Sequence, residues 1–185
     1  SSDVCSSDLP WVMQSGTTAI DQKGNVIGVG DVAKQVYAIV DIAEQSMGQA
    51  GGKLADIVRS RIYITDASLA DAAASALARH FRDIRPATTL VVVNGFARPT
   101  QLIEIEFDAL DGAGKAAQRF DSGRPSEERY AYSRAVRMGD QVFISGSTAM
   151  DENGGVEGAG DPARQTAVAL ATIEAAAEQA GASLR

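Results

Sequence analysis

Residues 102–110 read Leu-Ile-Glu-Ile-Glu-Phe-Asp-Ala-Leu, and this stretch decides the fold. Its first part alternates between two kinds of side chain, the apolar Ile103, Ile105 and Phe107 and the acidic Glu104, Glu106 and Asp108. Successive side chains of a strand point to opposite faces, so the pattern predicts a strand with one buried face and one acidic face. An acidic face is usually solvated surface; the alternative is that it lines a cleft between subunits.

Two helices are predicted to cover the buried face of this strand. The first runs from about Asp31 to Ala50, because apolar residues recur there at helical spacing, Asp31 is a good N-cap and Gly51 ends the run. The second spans about 68–84 and ends before Pro86, since the residue preceding a proline avoids helical angles.

Three more strands are predicted around these helices, at residues 11–15, 57–65 and 89–93. With 102–110 they give the order ββαβαββ, once a first strand ahead of Trp11 is restored. Helices packed on one face of a mixed sheet make an α+β domain, which we place at residues 10–110.

Residues 1–9 do not fit that domain. Ser-Ser-Asp-Val-Cys-Ser-Ser-Asp-Leu has no structural period and lacks the basic start and apolar centre of a signal peptide. Asp3–Leu9 matches one translated frame of a common sequencing adapter. We therefore expect residues 1–9 to be an artefact that replaces the true first strand; the alternative is a disordered N-terminal tail.

The front half of the domain occurs twice. Trp11–Leu54 align without a gap on Gln141–Leu184 and are identical at 18 of 44 positions. Residues 111–126, rich in Gly, Ala and charge, are predicted to be a linker, and 127–185 to be the N-terminal half of a second domain. Because the first copy continues well past Leu54, we expect the natural chain to continue beyond Arg185.

Composition narrows the classes of partner. The 185 residues carry a net charge of -7, which argues against a phosphate backbone as ligand, because nucleic-acid binding needs clustered Lys and Arg. No stretch approaches the roughly 20 apolar residues of a membrane helix, so we expect no membrane partner. The single cysteine, Cys5, excludes an internal disulfide and fits a cytoplasmic protein.

Two other features of the sequence have simpler interpretations than nucleotide binding or catalysis. Gly28–Ala33 and Gly158–Ala163 match a dinucleotide-binding fingerprint, but no long buried strand precedes either, and Asp31 would face the pyrophosphate. A glycine turn leading into an Asp-capped helix explains them better. His80, the single histidine, is expected at a helix end, and no zinc site of the usual kind is available.

Four motifs together resemble those of the Rid (reactive intermediate deaminase, YjgF-like) family. That family has Pro-Ala-Arg leading into a strand and Val/Ile-Glu-Ile-Glu in the last strand, which appear here as Pro86-Ala87-Thr88 and Ile103–Glu106. It also has a Ser-Gly near its start and an Arg-Ala-Val-like first hairpin, which are Ser15-Gly16 in the first copy and Ser145-Gly146 and Tyr132–Val136 in the second.

The resemblance implies a chorismate-mutase-like fold, here repeated, with two helices on one face of a mixed sheet. It implies a homo-oligomer, usually a trimer, with clefts between subunits that bind a small molecule. The best-known activity is hydrolysis of reactive imines and enamines such as 2-imino acids, without metal or organic cofactor. The family arginine grips the substrate carboxylate, and a first-strand tyrosine and a last-strand glutamate help to place substrate and water.

The candidate site residues carried over by position are Glu104, Thr88 and Tyr132. Thr88 stands where the family has its arginine, and a hydroxyl cannot make the two-pronged charged contact with a carboxylate. Tyr132 lies in the second copy, whose arginine position falls beyond Arg185. The sequence therefore leaves open an imine or enamine hydrolase and a non-catalytic ligand-binding module of the same fold. The ribonuclease activity attached to the family's name is least compatible with the acidic composition.

Overall fold

The structure is a computed structural model that describes residues 11–151 and 154–184; the expectations for residues 1–9 lie outside this range. The first copy contains four strands and two helices. They are β1 (Trp11–Thr18), α1 (Val32–Gln49), β2 (Ile57–Ile64), α2 (Ala70–Phe81), β3 (Ala87–Val92) and β4 (Ile103–Leu110). Short 3₁₀ turns at Leu54–Asp56 and Ala67–Leu69 precede β2 and α2.

The sheet of the first copy is mixed, as predicted. Its strand order is β1-β4-β2-β3, with β4 antiparallel to both neighbours and β3 parallel to β2. The predicted buried row of β4, Ile103, Ile105 and Phe107, is fully buried under α1 and α2 in the main hydrophobic core. Both helices therefore lie on one face of the sheet, and the α+β class is confirmed.

The glycine–aspartate motif serves as a helix start in both copies. In α1 the side chain of Asp31 accepts a hydrogen bond from the backbone N–H of Lys34 at 3.0 Å. Asp161 does the same at 3.0 Å for Arg164 at the start of α5 (Pro162–Gln179). The helix ends also repeat, because Gly51 and Gly181 both adopt positive φ directly after the helix.

The segment predicted as a linker carries secondary structure of its own. It contains the short helix α3 (Ala113–Ala116) and the strand β5 (Gln118–Phe120), and α4 (Pro125–Arg129) begins before its end. β5 pairs antiparallel with β6 (Ala135–Met138), which pairs with β7 (Gln141–Ile144), so the second copy begins with a three-stranded sheet. A three-residue strand, preceded by two alanines and followed by Asp121, gives too little alternation to be recognised in the sequence.

The second copy docks on the helix-free face of the first. Phe143 of β7 is 6% exposed and packs edge to face against Trp11 of β1, with ring centroids 5.6 Å apart. The same cluster contains Val58 and Leu110 from the open face of the first sheet and Val136 from β6. This second core covers part of a sheet face that would otherwise be exposed.

The two sheets are also joined at an edge. A parallel bridge links Ala87 of β3 to Ser133, and the N–H of Gly146 donates to the carbonyl of Thr88 at 3.1 Å. Over the described ranges, no helix is both long and apolar enough to cross a membrane.

Candidate functional site: a cleft between the two copies

A cleft of about 270 Å³ lies where the second copy meets α2 and β3 of the first. The first copy contributes side chains from α2, from the middle of β2 and from the first half of β3, and the second contributes the turn before β6 and the segment after β7. Its lining includes Asp71, Ala74, Thr88, Tyr130, Tyr132 and Gly146. Small-molecule sites are typically concave, mostly apolar and furnished with a few placed polar groups, and this cleft has that character.

Thr88 forms the polar part of the first wall, but its hydrogen-bonding groups are engaged within the protein. Its hydroxyl lies 2.9 Å from that of Ser60, and it is also within 3.3 Å of the carbonyl of Pro86. Its N–H donates to the hydroxyl of Ser145 at 2.8 Å. Thr88 therefore supplies neither a cation nor an uncommitted donor for a ligand carboxylate.

Gly146 of the second wall approaches β3 closely. A Cβ at this position would lie 2.9 Å from the side chain of Thr89, so only glycine lets the two copies meet here. The N–H of Gly146 contacts Thr88 and Thr89, and its carbonyl accepts from Arg134 at 3.2 Å. The backbone of this wall is thus fixed by the contact between the copies.

Tyr132, predicted from the resemblance, lies in the same wall. Its hydroxyl is 3.0 Å from that of Ser126 and 3.3 Å from Nη2 of Arg134. The sequence left Tyr132 without partners, because its own copy's arginine position lies beyond the chain. The structure instead brings Tyr132 and Thr88 into one cleft, with one residue from each copy.

A buried ion pair of the second copy lies next to this wall of the cleft. The Arg134 and Glu127 side chains are 6% and 2% exposed, and Nε of Arg134 lies 3.2 Å from Oε1 of Glu127. Glu127 also accepts from the N–H and hydroxyl of Ser122, at 2.8 and 2.6 Å, and from the N–H of Gly123 at 3.1 Å. A charged pair in so buried a place needs this full set of partners.

Asp71 contributes the one formal charge among the described residues that line the cleft. Tyr130 donates its phenolic hydrogen to Asp71, and this hydrogen bond raises the pKa of the Tyr130 phenol above its usual value. Arg129 lies 3.7 Å from the other oxygen of Asp71, with both side chains largely exposed. The charge at this position is therefore partly balanced and screened by solvent.

Glu104 does not share the cleft with Thr88. Thr88 pairs with Ser60 and Ser60 with Phe107, a row on the helix-covered face, whereas Glu104 pairs with Tyr63 on the opposite face. The Glu104 carboxylate sits directly over Gly16, where an added Cβ would collide with it. Within residues 11–151 and 154–184 we find no hydrogen bond or ion pair to this carboxylate.

The other acids of the same row have basic partners on β2. Asp108 lies 2.7 Å from Nε of Arg59 and 3.0 Å from Nη1 of Arg61, and Glu106 lies 2.5 Å from Nε of Arg61. Two of the three acids are thus paired within the sheet. The sequence contains both the acidic residues of β4 and the arginines of β2. Which acid faces which arginine depends on the register of the two strands, and neither strand's sequence determines that register alone.

Three features of the site were missed at the level of sequence. Asp71 and Tyr130 had no distinguishing pattern, and Glu127 was placed just after a predicted linker.

His80 lies in the last turn of α2 against the ring of Tyr37, with centroids 5.7 Å apart, and does not line the cleft. The described residues contain no group of three or more His, Cys, Asp or Glu side chains placed to hold a metal ion.

Comparison with known proteins adds family information to this geometry. The sequence model of the family described as Endoribonuclease L-PSP matches residues 4–111 and 124–185. The chain is 33% identical over 94 residues to the 3-aminoacrylate deaminase RutC of Acinetobacter baylyi, an alignment covering 51% of this chain and 74% of that protein. The fold is similar to that of YyfA, a Rid-family protein of unknown function from Yersinia pestis, with a TM-score of 0.51, 26% identity and coverage of 54% and 79% of the two chains.

Proposed function

The chain belongs to the Endoribonuclease L-PSP family, the YjgF/Rid family that its motifs resemble, and we propose that it binds a small organic molecule without a carboxylate in the cleft between its two copies. The observation that carries this proposal is the lining of the cleft. The family resemblance assigns Thr88 to the arginine position, and no Lys or Arg lies among the described residues that line the cleft. A carboxylate there would be desolvated without a counter-charge.

The size and polarity of the cleft support a neutral ligand. About 270 Å³ accommodates a molecule of a few carbon atoms with one or two polar groups. Leu77 and Phe81 offer apolar surface, and Tyr132 offers a hydroxyl. A small amide, imine or enamine matches this arrangement.

Hydrolysis of such an imine or enamine is the second candidate, favoured by the similarity to a 3-aminoacrylate deaminase. In that reaction water adds to the C=N carbon and ammonia leaves. The cleft of this chain lacks the cation that an aminoacrylate carboxylate requires, so we assign it uncharged substrates. Ribonuclease activity is not proposed, because the net charge of -7 and the lining of the cleft provide no basic surface for phosphates.

Three probes of equal size and different charge test the proposal: propionate, propionamide and propylammonium. We expect propionamide to bind at least about tenfold more tightly than propionate, since an unpaired buried charge costs more than the roughly 1.4 kcal/mol of one decade. Titration calorimetry or amide NMR on the full chain measures this. Tighter binding of propionate would contradict the proposal.

Two alanines of α2 provide a control for where on the protein the probe binds. Ala74 lines the cleft, whereas Ala72, two residues earlier in α2, is exposed and does not line it. Ala74→Trp fills the cleft and should abolish propionamide binding, and Ala72→Trp should leave it unchanged. Equal effects of the two variants would show that the probe binds elsewhere.

A further inference from the structure

We propose that a groove in the second copy is a second binding site, and that it takes organic carboxylates that carry a flat apolar group. This α5 groove lies between α5 and residues 121–124 and has a volume of about 700 Å³. Among the described residues it shares no lining side chain with the cleft between the copies. The proposal therefore goes beyond the proposed function and does not depend on it.

Contacts at both ends give the α5 groove a limited length. Near the end of α5, the side-chain amide of Gln179 donates to the carbonyl of Asp121 at 3.2 Å. Near its start, Nη2 of Arg124 donates to the carbonyl of Met150 at 3.2 Å. The stretch of α5 from Arg164 to Gln179 is about 22 Å long at the rise of a helix. These limits suit an elongated small molecule better than a continuous peptide.

Short side chains form the floor of the α5 groove. Residues four apart lie on the same side of a helix, and along α5 three such residues are Ala167, Ala171 and Ala175. The repeat places Tyr37, Asp41 and Gln45 of α1 at the equivalent positions, so the floor is particular to the second copy. A row of methyl groups offers apolar contact over a broad surface, and a flat ring covers such a surface well.

One cation of the α5 groove lacks a counter-charge. The other ionic side chains of its lining have partners: Arg164 with Glu157, Arg134 with Glu127, and Asp121 with Arg85. Over the part of the chain that the structure describes, half-buried Arg124 donates a hydrogen bond to a carbonyl but forms no ion pair. Because a guanidinium has five N–H donors, Arg124 keeps donors for a ligand. A single unpaired cation beside an apolar floor matches a carboxylate on an apolar group.

Three naphthalene probes of similar size separate the effect of charge from that of apolar contact: naphthalene-2-carboxylate, naphthalene-2-carboxamide and naphthalen-2-ylmethylammonium. The carboxylate should bind the full chain about three- to tenfold more tightly than the amide, because a charged hydrogen bond is stronger than a neutral one but is partly screened here. The ammonium should bind most weakly. Titration calorimetry measures all three, and equal affinities, or tightest binding of the ammonium, would overturn the proposal.

Arg124→Gln tests the cation, because it removes the charge and keeps a long polar side chain. The affinity for naphthalene-2-carboxylate should fall to that for the amide, and the affinity for the amide should not change. Arg82→Gln is the matched control, since Arg82 is exposed and lines neither the groove nor the cleft. An unchanged affinity for the carboxylate in Arg124→Gln, or an equal loss in Arg82→Gln, would show that Arg124 does not hold the ligand.

Substitutions of Ala171 test the location, because this residue lies in the middle of the floor. Ala171→Asn and Ala171→Asp add side chains of similar size, so both should weaken binding of the carboxylate and of the amide. The added negative charge of Ala171→Asp should weaken the carboxylate by at least about a further threefold. Normal affinities in both variants would place the probe elsewhere and contradict the proposal.

Propionamide distinguishes failure of this proposal from failure of the proposed function. Arg124→Gln should leave propionamide binding unchanged, and naphthalene-2-carboxylate should not displace propionamide, because the two sites share no described lining residue. Displacement of one probe by the other would contradict the assignment of two separate sites. Failure of propionamide to bind the unmodified chain would contradict the proposed function and leave the α5 groove to be decided by the naphthalene probes.

Discussion

Thr88 occupies the point of the cleft at which a single substitution should change the charge of the ligand. Thr88→Arg places a guanidinium beside the cleft, where a two-pronged contact with a carboxylate is worth more than a neutral hydrogen bond. We expect propionate binding to improve by about ten- to several-hundred-fold, from charged hydrogen bonds of about 1.5–3 kcal/mol. Hydrolysis of 2-iminopropionate, followed as pyruvate, should be absent or weak in the unmodified chain and should rise in this variant.

Thr88→Gln is the matched control for that experiment, because it adds a long polar side chain without charge. It should leave propionate binding weak. If it improves binding as much as Thr88→Arg does, the charge of residue 88 is not what selects the ligand. Strong deaminase activity in the unmodified chain would require another cation, and the role assigned to Thr88 would then be wrong.

The sequence identified Thr88, Glu104 and Tyr132 as candidates but could not predict their arrangement. Each was assigned by its place in a motif, and a motif says nothing about which face of a sheet a side chain shares with another strand. That depends on register: Thr88 pairs with Ser60 in β2, while Glu104 pairs with Tyr63. That Thr88 and Tyr132 line the same cleft depends further on how the two copies dock, and the two residues lie far apart in the sequence.

At the scale of helices and strands, the sequence predicted an element correctly where neighbouring residues indicate its start, its end or its period. The start and end of α1 were predicted from Asp31 and Gly51, and the structure confirms both within one residue. The alternation of β4 correctly predicted which of its residues face the helices. The short β5 was missed, because three residues do not establish a period.

Asp31 allows a test of the capping interaction through pH. Hydrogen bonds from the backbone and side chain of Lys34 lower the pKa of the Asp31 carboxyl below its usual value. A carboxyl with a lowered folded pKa stabilises the fold fully above its unfolded pKa of about 3.9, and this contribution disappears as pH falls through the folded value. Asp31→Ala should therefore lower the Tm at pH 7, and the difference from the unmodified chain should shrink below about pH 4.

Asp31→Asn separates charge from capping, since asparagine also caps helices well. Its Tm should lie between those of the unmodified chain and Asp31→Ala at pH 7. Melting curves followed by circular dichroism from pH 7 to pH 3 provide the measurement. A difference between Asp31→Ala and the unmodified chain that grows toward low pH would contradict the assigned direction of the pKa shift.

At the scale of the whole molecule, docking of the second copy on the first forms a second hydrophobic core. Phe143 is 6% exposed, whereas Met13, its equivalent in the repeat, is 69% exposed. Phe143→Ala should cost about 3 kcal/mol of stability, at the lower end for burial of a phenylalanine. Met13→Ala should stay within about 0.5 kcal/mol, as expected of an exposed residue.

Denaturant unfolding of these two variants, followed by fluorescence, measures the difference. Trp11 is the single tryptophan, and its contact with Phe143 makes it a direct reporter of docking. Equal stabilities of the two variants would mean that the second copy does not pack on the open face of the sheet.

The expected oligomer stays a prediction at this scale. The family resemblance implies it, and a sheet face without helices favours a partner, but the second copy already covers part of that face. Light scattering at micromolar concentration tests it, and a monomer would contradict it.

The central claim is that one ligand contacts both copies at once. An amide NMR titration of the full chain with propionamide tests it most directly. We predict that signals of Leu77 and Thr88 in the first copy, and of Ala131 and Gly146 in the second, shift together with a single Kd. Shifts confined to one copy, or centred on Glu104 and Gly16, would contradict it.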